Sequence, residues 1–132
     1  MDKIITTLQG RKKSPTRLTK NSKIFKAIIH AIKEKKGENI VSLDLRKIDE
    51  AVADFFIICE AQSNIQINAI ADSVEELVKK ECDERPYHVE KSDKWTLVDY
   101  VNIVVHVFQT DSRKFYDLEN LWADAERTEY ND

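Results

Sequence analysis

Glycine is scarce in this chain of 132 residues, which contains only Gly10 and Gly37. Phosphate-binding loops of the GxGxxG and Walker types need several closely spaced glycines, because the backbone must approach the phosphates without a Cβ atom in the way. The two glycines are 27 residues apart, so neither loop can be built from them. Nucleotide binding by these two devices is therefore excluded.

Cysteine is equally scarce, with only Cys59 and Cys82 in the chain. They show no CxxC or Cys/His spacing, and Cys59 lies in the apolar run FFIICE, where a buried thiol is the usual interpretation. The three histidines, His30, His88 and His106, are not spaced as metal ligands either. We expect reduced thiols and no metal site, which is typical of a cytosolic protein.

Long hydrophobic runs are also missing. No apolar stretch approaches the roughly 18 residues that a membrane-spanning helix needs, and the basic start of the chain lacks the apolar segment of a secretory signal. We therefore expect a soluble, cytoplasmic protein without a membrane partner. The alternative is an organellar protein, since residues 1–23 are rich in Lys, Arg, Ser and Thr, as transit peptides are.

Charge is distributed unevenly along the chain. Residues 1–23 carry seven Lys/Arg and one acid, for a net +6, whereas residues 24–132 carry 14 bases and 23 acids, for a net −9. An acidic domain favours basic partners and lacks the general field that holds nucleic acid. We interpret residues 1–23 as a flexible basic extension, with a weak RNA contact through it as the alternative.

The pattern of apolar residues predicts three helices and five strands. The first helix begins near Asn21, the second begins after Ser63 and runs to about Cys82, and the third is capped by Asp111 or Ser112. The strands cover residues 40–45, 54–60 and 87–90 and the two arms of a hairpin over 94–108. Ser63 and Gln66 form a capping-box pattern, and the last helix has an apolar stripe of Phe115, Leu118, Leu121 and Trp122. The order predicts an α/β (α+β) fold in which helices cover a mixed sheet.

The domain is predicted to span residues 24–126, followed by a polar tail at 127–132. A catalytic site is not indicated within it. A pair of metal-binding carboxylates would stand two residues apart on a strand, but in SLDLRK the residue two after Asp44 is Arg46. A nucleophile elbow of the GxSxG kind is absent too, although a triad assembled in space is not excluded by spacing.

The hairpin KWTLVDYVNIVVHVF combines strand-forming residues with an indole, a carboxylate, a phenol and an imidazole. Trp95, Leu97 and Asp99 share one face of the first arm, because alternate residues of a strand point the same way. In the last helix, Arg113 and Tyr116 fall on the side away from the apolar stripe. Two interpretations are about equally favoured. These residues are either part of a half-buried core or a docking patch, and the second is considered because aromatic residues beside charges are typical of binding hot spots.

Two stretches carry a resemblance to a known family. ADFFIICEAQSNIQINAIADSVEE (53–76) and WTLVDYVNIVVHVFQTDSRKFYDLENLW (95–122) closely resemble the ribosome silencing factor family, also called the Iojap family. The resemblance covers residues 24 to 125 approximately. It implies a nucleotidyltransferase-like architecture that lacks the catalytic carboxylates of that superfamily, and hence a binding module with no cofactor.

The resemblance also implies a partner. It predicts docking on the large ribosomal subunit through large-subunit ribosomal protein number fourteen, at the face where the small subunit joins, so that subunit association and translation are blocked. The implied docking residues are Trp95, Leu97, Asp99, Tyr100 and His106, with Arg113 and Tyr116 as outer members. A homodimer of the free protein is implied as well. The alternative function is a divergent nucleotidyltransferase-like enzyme that uses Asp44.

The hairpin turn departs from the family pattern. Family members usually have Gly-Asp after the Asp-Tyr pair, where this chain has Val101-Asn102. Valine strongly disfavours the positive φ that a tight hairpin turn often needs. We therefore expect either a shifted register or a different turn type.

Overall fold

The computed structural model describes residues 18–131. Its helices are α1 (Lys23–Glu34), α2 (Asn64–Cys82), α3 (Thr110–Tyr116) and α4 (Leu118–Leu121). Its strands are β1 (Glu38–Asp44), β2 (Phe55–Ala61), β3 (His88–Glu90), β4 (Trp95–Asp99), β5 (Ile103–Gln109) and β6 (Glu126–Glu129). None of these helices combines the length and the apolar character that crossing a membrane requires.

The strands form one mixed sheet in the order β3-β4-β5-β2-β1-β6. Strands β2 and β5 run parallel, with Phe55 opposite Ile103, and every other pair is antiparallel. All seven residues of β2 are buried, which explains its almost unbroken apolar sequence, since a strand covered on both faces has no solvent side. The predicted mixed sheet covered by helices is confirmed.

Helices α1 and α2 cover one face of the sheet. The hydroxyl oxygen of Ser63 accepts a hydrogen bond from the backbone N–H of Gln66 at 3.1 Å, so the predicted cap of α2 is confirmed. The Gln66 amide does not complete the capping box. It donates instead to the carbonyl oxygens of Lys35 and Lys36, at 3.4 and 3.2 Å, and so connects the start of α2 to the segment that follows α1.

The other face of the sheet is covered by the segment between β1 and β2 and by α4. We call its apolar residues the second layer: the sheet contributes Val41, Leu43, Phe56, Ile58, Trp95, Leu97, Val104 and Phe108, and the cover contributes Leu45, Ala51, Ala53 and Leu118. Side chains at alternate positions of β4 and β5 point into this layer. The Trp95 side of the hairpin is therefore a second core and not an outer surface of the sheet.

The last predicted helix is divided into two. α3 ends at Tyr116, Asp117 takes the left-handed conformation with φ of 45°, and α4 follows at once. The side-chain oxygen of Gln109 caps α3 by accepting from the Ser112 N–H at 3.1 Å, so the predicted cap at Asp111 or Ser112 is wrong. Because the chain changes direction at Asp117, the predicted apolar stripe does not continue across it. Phe115 and Leu121 are consequently 80% and 69% exposed.

The predicted polar tail is also wrong for most of its length. Residues 126–129 form β6, which pairs antiparallel with β1. Beyond it, the Tyr130 hydroxyl lies 2.8 Å from that of Ser42, and the Asn131 side-chain oxygen accepts from the Ile40 N–H at 2.9 Å. The segment covers the unpaired backbone groups that an edge strand would otherwise expose, so the domain includes it.

The basic extension predicted for residues 1–23 falls partly outside the described residues, which begin at Leu18. The N–H of Leu18 donates to the Asp54 carboxylate at 3.1 Å, and the Lys20 ammonium donates to the Thr128 hydroxyl at 2.8 Å. Leu18 also packs against the core beneath α1. The last residues of the predicted extension therefore belong to the domain.

The hairpin turn keeps a positive φ despite its valine. Val101 has a φ of 73°, and the Asn102 N–H donates to the Tyr100 carbonyl at 2.9 Å, which fits a γ-turn centred on Val101. The Asp99 carboxylate accepts from the Val101 N–H at 2.8 Å and holds the turn. The valine therefore adopts the positive φ that this residue type disfavours.

Candidate docking face

The seven residues predicted to bind a partner do not form one surface. Only Tyr116 is partly exposed. The six buried residues are Trp95, Leu97, Asp99, Tyr100, His106 and Arg113. The prediction that Trp95, Leu97 and Asp99 form an exposed strip is therefore wrong, because the cover of the second layer lies over that face of β4.

Trp95 and His106 form a hydrogen-bonded pair inside the second layer. Trp95 is 1% exposed, and its indole Nε1–H donates to His106 Nδ1 at 3.0 Å. Since Nδ1 accepts, the neutral imidazole carries its proton on Nε2, which has no hydrogen-bond partner among the described residues. The centroids of the His106 and Phe56 rings are 4.6 Å apart in this layer. Burial lowers the pKa of His106 to about 3, so the ring is neutral at physiological pH.

Asp99 and Tyr100 lie at the far end of β4 from Trp95. Asp99 is four positions after Trp95, which is about 13 Å along a strand. Tyr100 packs on the other face of the sheet, in the core under α1 and α2, where burial raises the pKa of its phenol and the nearby Glu75 adds to that effect. These two residues therefore cannot share a surface with Trp95.

Arg113 joins α3 to the sheet through buried ion pairs. Its guanidinium donates to Glu60 at 3.0 Å, to Glu119 at 2.8 Å and to the Asn39 carbonyl at 2.6 Å. Burial would raise the pKa of Glu119, but the hydrogen bond and charge of Arg113 outweigh it and hold that pKa below its usual range. Arg113 is thus a structural clamp rather than the exposed residue that was predicted.

An exposed aromatic pair stands directly above the second layer. The Phe115 ring lies 5.0 Å from that of Tyr116 at an interplanar angle of 89°, and Tyr116 lies 5.3 Å from Trp95. An open depression of about 530 Å³ beside the pair is lined by Lys94, Gln109, Asp111, Ser112, Phe115 and Tyr116. We call the aromatic pair and this depression the α3 face. It is a concave surface with an apolar contact and both signs of charge.

Sequence reasoning missed Phe115 because it assigned that residue to the inward stripe of one long helix. A signal was present in Asp117. Aspartate tolerates the left-handed conformation and begins helices well, so an aspartate in the middle of a short amphipathic segment is compatible with a stop followed by a new start.

The α3 face lies at the carboxyl end of the parallel strand pair. Ala61 and Gln109 stand opposite each other at that end, and α2 and α3 begin just after them. Ile65, in the first turn of α2, is 84% exposed at the same end. Open α/β sheets commonly bind their ligands at the carboxyl ends of parallel strands. The exposed Tyr87, whose N–H donates to the Asp99 carbonyl, belongs to the opposite end.

The groups considered for catalysis are occupied by structural contacts. Arg46 donates to both oxygens of Asp44, at 3.0 and 2.7 Å; burial raises the pKa of this carboxyl, but Arg46 outweighs burial and the net shift is downward. Burial raises the pKa of Cys59 to about 12, so this thiol is not a nucleophile. Between residues 18 and 131, no three His, Cys, Asp or Glu side chains are grouped to hold a metal ion.

Comparisons with known proteins agree on one family for this chain. Residues 19–132 match the model of a family described as RsfS, ribosomal silencing factor during starvation. The chain is 35% identical to the ribosomal silencing factor RsfS of Halalkalibacterium halodurans over 83% of this chain and 93% of that one, and 40% identical to that of Bacillus subtilis over 77% and 86%. A crystal structure from Chromobacterium violaceum superposes with a TM-score of 0.70 at 35% identity, over 76% of this chain and 83% of that one. The chain therefore belongs to the RsfS family of ribosomal silencing factors.

Proposed function

We propose that this chain represses translation by docking on the large ribosomal subunit through large-subunit ribosomal protein number fourteen, where it blocks the small subunit. Family membership and the names of the relatives support a ribosomal role. The block is steric and needs no cofactor, so its extent follows the concentration and affinity of the chain. A cytoplasmic location fits this role.

The α3 face is the proposed docking surface. The observation that carries this assignment is the exposure of Phe115 beside Tyr116 on a rigid buried base. Aromatic residues next to a concave surface are typical hot spots, because a partner side chain can fill the depression and exclude water around the ring. Asp111 and Asp117 are exposed on either side of the pair in sequence and suit a basic ribosomal protein.

Trp95, Leu97 and His106 support the α3 face from beneath rather than contact the partner. Trp95 stacks on Phe108 at a centroid distance of 4.7 Å and also contacts the Tyr116 ring, at 5.3 Å. Truncating a buried tryptophan commonly costs about 3–5 kcal/mol of stability. Loss of binding in Trp95→Ala would therefore report unfolding, so Trp95 is a poor probe of the docking surface.

Sedimentation of the protein with isolated large subunits, isolated small subunits and intact ribosomes tests the proposal. We expect binding to large subunits alone, and inhibition of subunit joining in parallel. Phe115→Ala should weaken binding about tenfold or more, since a truncated hot-spot aromatic costs about 2 kcal/mol and each 1.4 kcal/mol is tenfold. Its melting temperature should not fall, because the ring is exposed.

Tyr87→Ala is the matched control, because Tyr87 is a comparably exposed aromatic residue at the opposite end of the sheet. It should bind as the wild type does. Equal binding by Phe115→Ala and wild type would contradict the α3 face, and wild-type binding to small subunits would contradict the proposed function. Nucleoside triphosphate turnover with Mg²⁺, abolished by Asp44→Ala, would favour the divergent-enzyme alternative instead.

A further inference from the structure

We propose that Gln109 is a binding residue of the α3 face, whose side-chain amide donates a hydrogen bond to a main-chain carbonyl oxygen of the partner. The inference rests on the proposed function and names the chemistry that one part of this face recognises. Gln109 is the last residue of β5, it is half-buried, and it lines the depression together with Phe115 and Tyr116.

The orientation of the Gln109 amide follows from its contacts with Ser112. Its Oε1 accepts from the Ser112 N–H at 3.1 Å and from the Ser112 hydroxyl at 3.2 Å. A backbone N–H can only donate, so the atom that faces it must be the oxygen of the amide and not the nitrogen. The two ends of the amide are thereby distinguished, and Nε2 lies on the side away from Ser112.

Nε2 of Gln109 carries two N–H donors that the described residues leave unused. Within residues 18–131, both side-chain hydrogen bonds of Gln109 are made by Oε1. Nε2 has no partner there and is not buried, so it is open to solvent. Because Oε1 already orders the side chain, a partner that accepts from Nε2 has little side-chain entropy to overcome. The wall of the depression thus presents a donor that is held in place before binding.

The charges of the lining favour a neutral acceptor for this donor. The depression is lined by one cation and one anion, Lys94 and Asp111, and its other lining residues are neutral. A carboxylate from the partner would be attracted by Lys94 and repelled by Asp111, and a cation would meet the reverse. A peptide carbonyl is an uncharged acceptor, and the main chain of any exposed loop supplies one. The chemistry therefore fits the backbone of a protein partner.

Gln109 acts together with the exposed ring of Phe115, six residues later in the chain. The ring supplies apolar contact area, whereas the amide fixes where the partner's backbone lies, as a few polar groups do in mostly apolar sites. The contact with Ser112 that orients the amide also holds the start of the helix that carries the ring. Gln109 therefore both positions α3 and contacts the partner.

Two variants of Gln109 in the full chain separate these roles in sedimentation with isolated large subunits. Gln109→Ser keeps an oxygen that caps α3, as Ser63 caps α2 at 3.1 Å, but it removes the amide donors. Gln109→Met removes the acceptor and the donors together. We expect about fivefold weaker binding for Gln109→Ser, as for one lost hydrogen bond, and about tenfold or more for Gln109→Met, which loses the cap as well.

Ser63→Ala is the matched control, because it removes a cap of the same kind from α2, outside the lining of the depression. It should lower the melting temperature about as much as Gln109→Met does and leave binding unchanged. Gln109→Ser should keep the wild-type melting temperature, and hydrogen exchange of its α3 backbone amides should be as slow as in the wild type.

Wild-type affinity of Gln109→Ser would overturn the inference and leave the proposed function standing. Equal losses in Gln109→Met and Ser63→Ala would overturn it too, since they would report global stability. Lys94→Gln tests whether the acceptor is an RNA phosphate: we expect no loss of binding, and a loss with a slope of log affinity against log salt shallower by about 0.9 would overturn the peptide assignment. If the wild type does not bind large subunits, the proposed function fails, and the docking role of Gln109 fails with it.

Discussion

Lowering the pH from 7.5 to 5.0 should destabilise this protein through His106. Burial lowers the pKa of the imidazole in the folded state to about 3, against about 6.5 in an unfolded chain. Above pH 6.5 both states are neutral, and His106 makes no proton-linked contribution. As the pH falls below 6.5 the unfolded state binds a proton that the folded state excludes, so the free energy of unfolding decreases until the folded state is protonated near pH 3.

The size of the effect follows from the two pKa values. At pH 5.0 the unfolded imidazole is 1.5 pH units below its pKa, and each unit corresponds to about 1.4 kcal/mol, so the loss is about 2 kcal/mol. The lowered pKa values of Asp44 and Glu119 add a further loss only at more acidic pH, as those carboxyls approach protonation. Between pH 7.5 and 5.0, comparison with a variant that lacks this imidazole isolates the contribution of His106.

Urea unfolding at pH 7.5, 6.5, 5.5 and 5.0 measures this loss, with His106→Gln as the control variant. Glutamine does not titrate and retains an oxygen that can accept from the Trp95 indole. The variant starts from a lower stability at pH 7.5, but its stability should change about 2 kcal/mol less than that of the wild type across the interval. Identical pH dependence in the two proteins would show that His106 is solvated in solution, and the second layer would then have to be an open surface.

Two further predictions concern the turn and the ion cluster. Val101→Gly should raise the free energy of unfolding in a urea titration by about 1 kcal/mol, because a positive φ is strained for valine and unstrained for glycine; a decrease would show that the γ-turn is not strained. Arg113→Met should lower stability by about 3–5 kcal/mol, because Glu60 is left buried without its cation, and adding Glu60→Met should restore part of the loss; a double variant no more stable than the single would contradict the clamp.

The elements with strong local signals could be predicted from the sequence. α2 has both a capping serine and a long amphipathic repeat, and its start after Ser63 and end at Cys82 are confirmed. The buried strand β2 was predictable for the same reason, because an apolar run bounded by polar residues leaves few alternatives. In both cases the determining interactions are close in sequence or follow from simple alternation.

The exposure of the candidate site residues could not be predicted from the sequence, because long-range packing determines which side chains are covered. Alternation along β4 correctly placed Trp95 and Leu97 on one side, but alternation does not say what covers that side. The cover comes from Leu118, 23 residues after Trp95, and from the segment between β1 and β2. β6 was missed for a related reason, since a short polar edge strand carries almost no apolar pattern and is defined by its pairing with β1.

The burial of Trp95 explains how so short an element as α3 can serve as a docking face. A helix of seven residues is not stable alone, because the cost of nucleating it exceeds the gain from its few hydrogen bonds. Here Arg113 fixes its inner side to Glu60, and Tyr116 rests on the stack of Trp95 and Phe108. Phe115 is thereby presented at the surface on a backbone already in place, so that binding orders little more than its side chain. Weakening the second layer should therefore lower affinity even when every residue of the α3 face is intact.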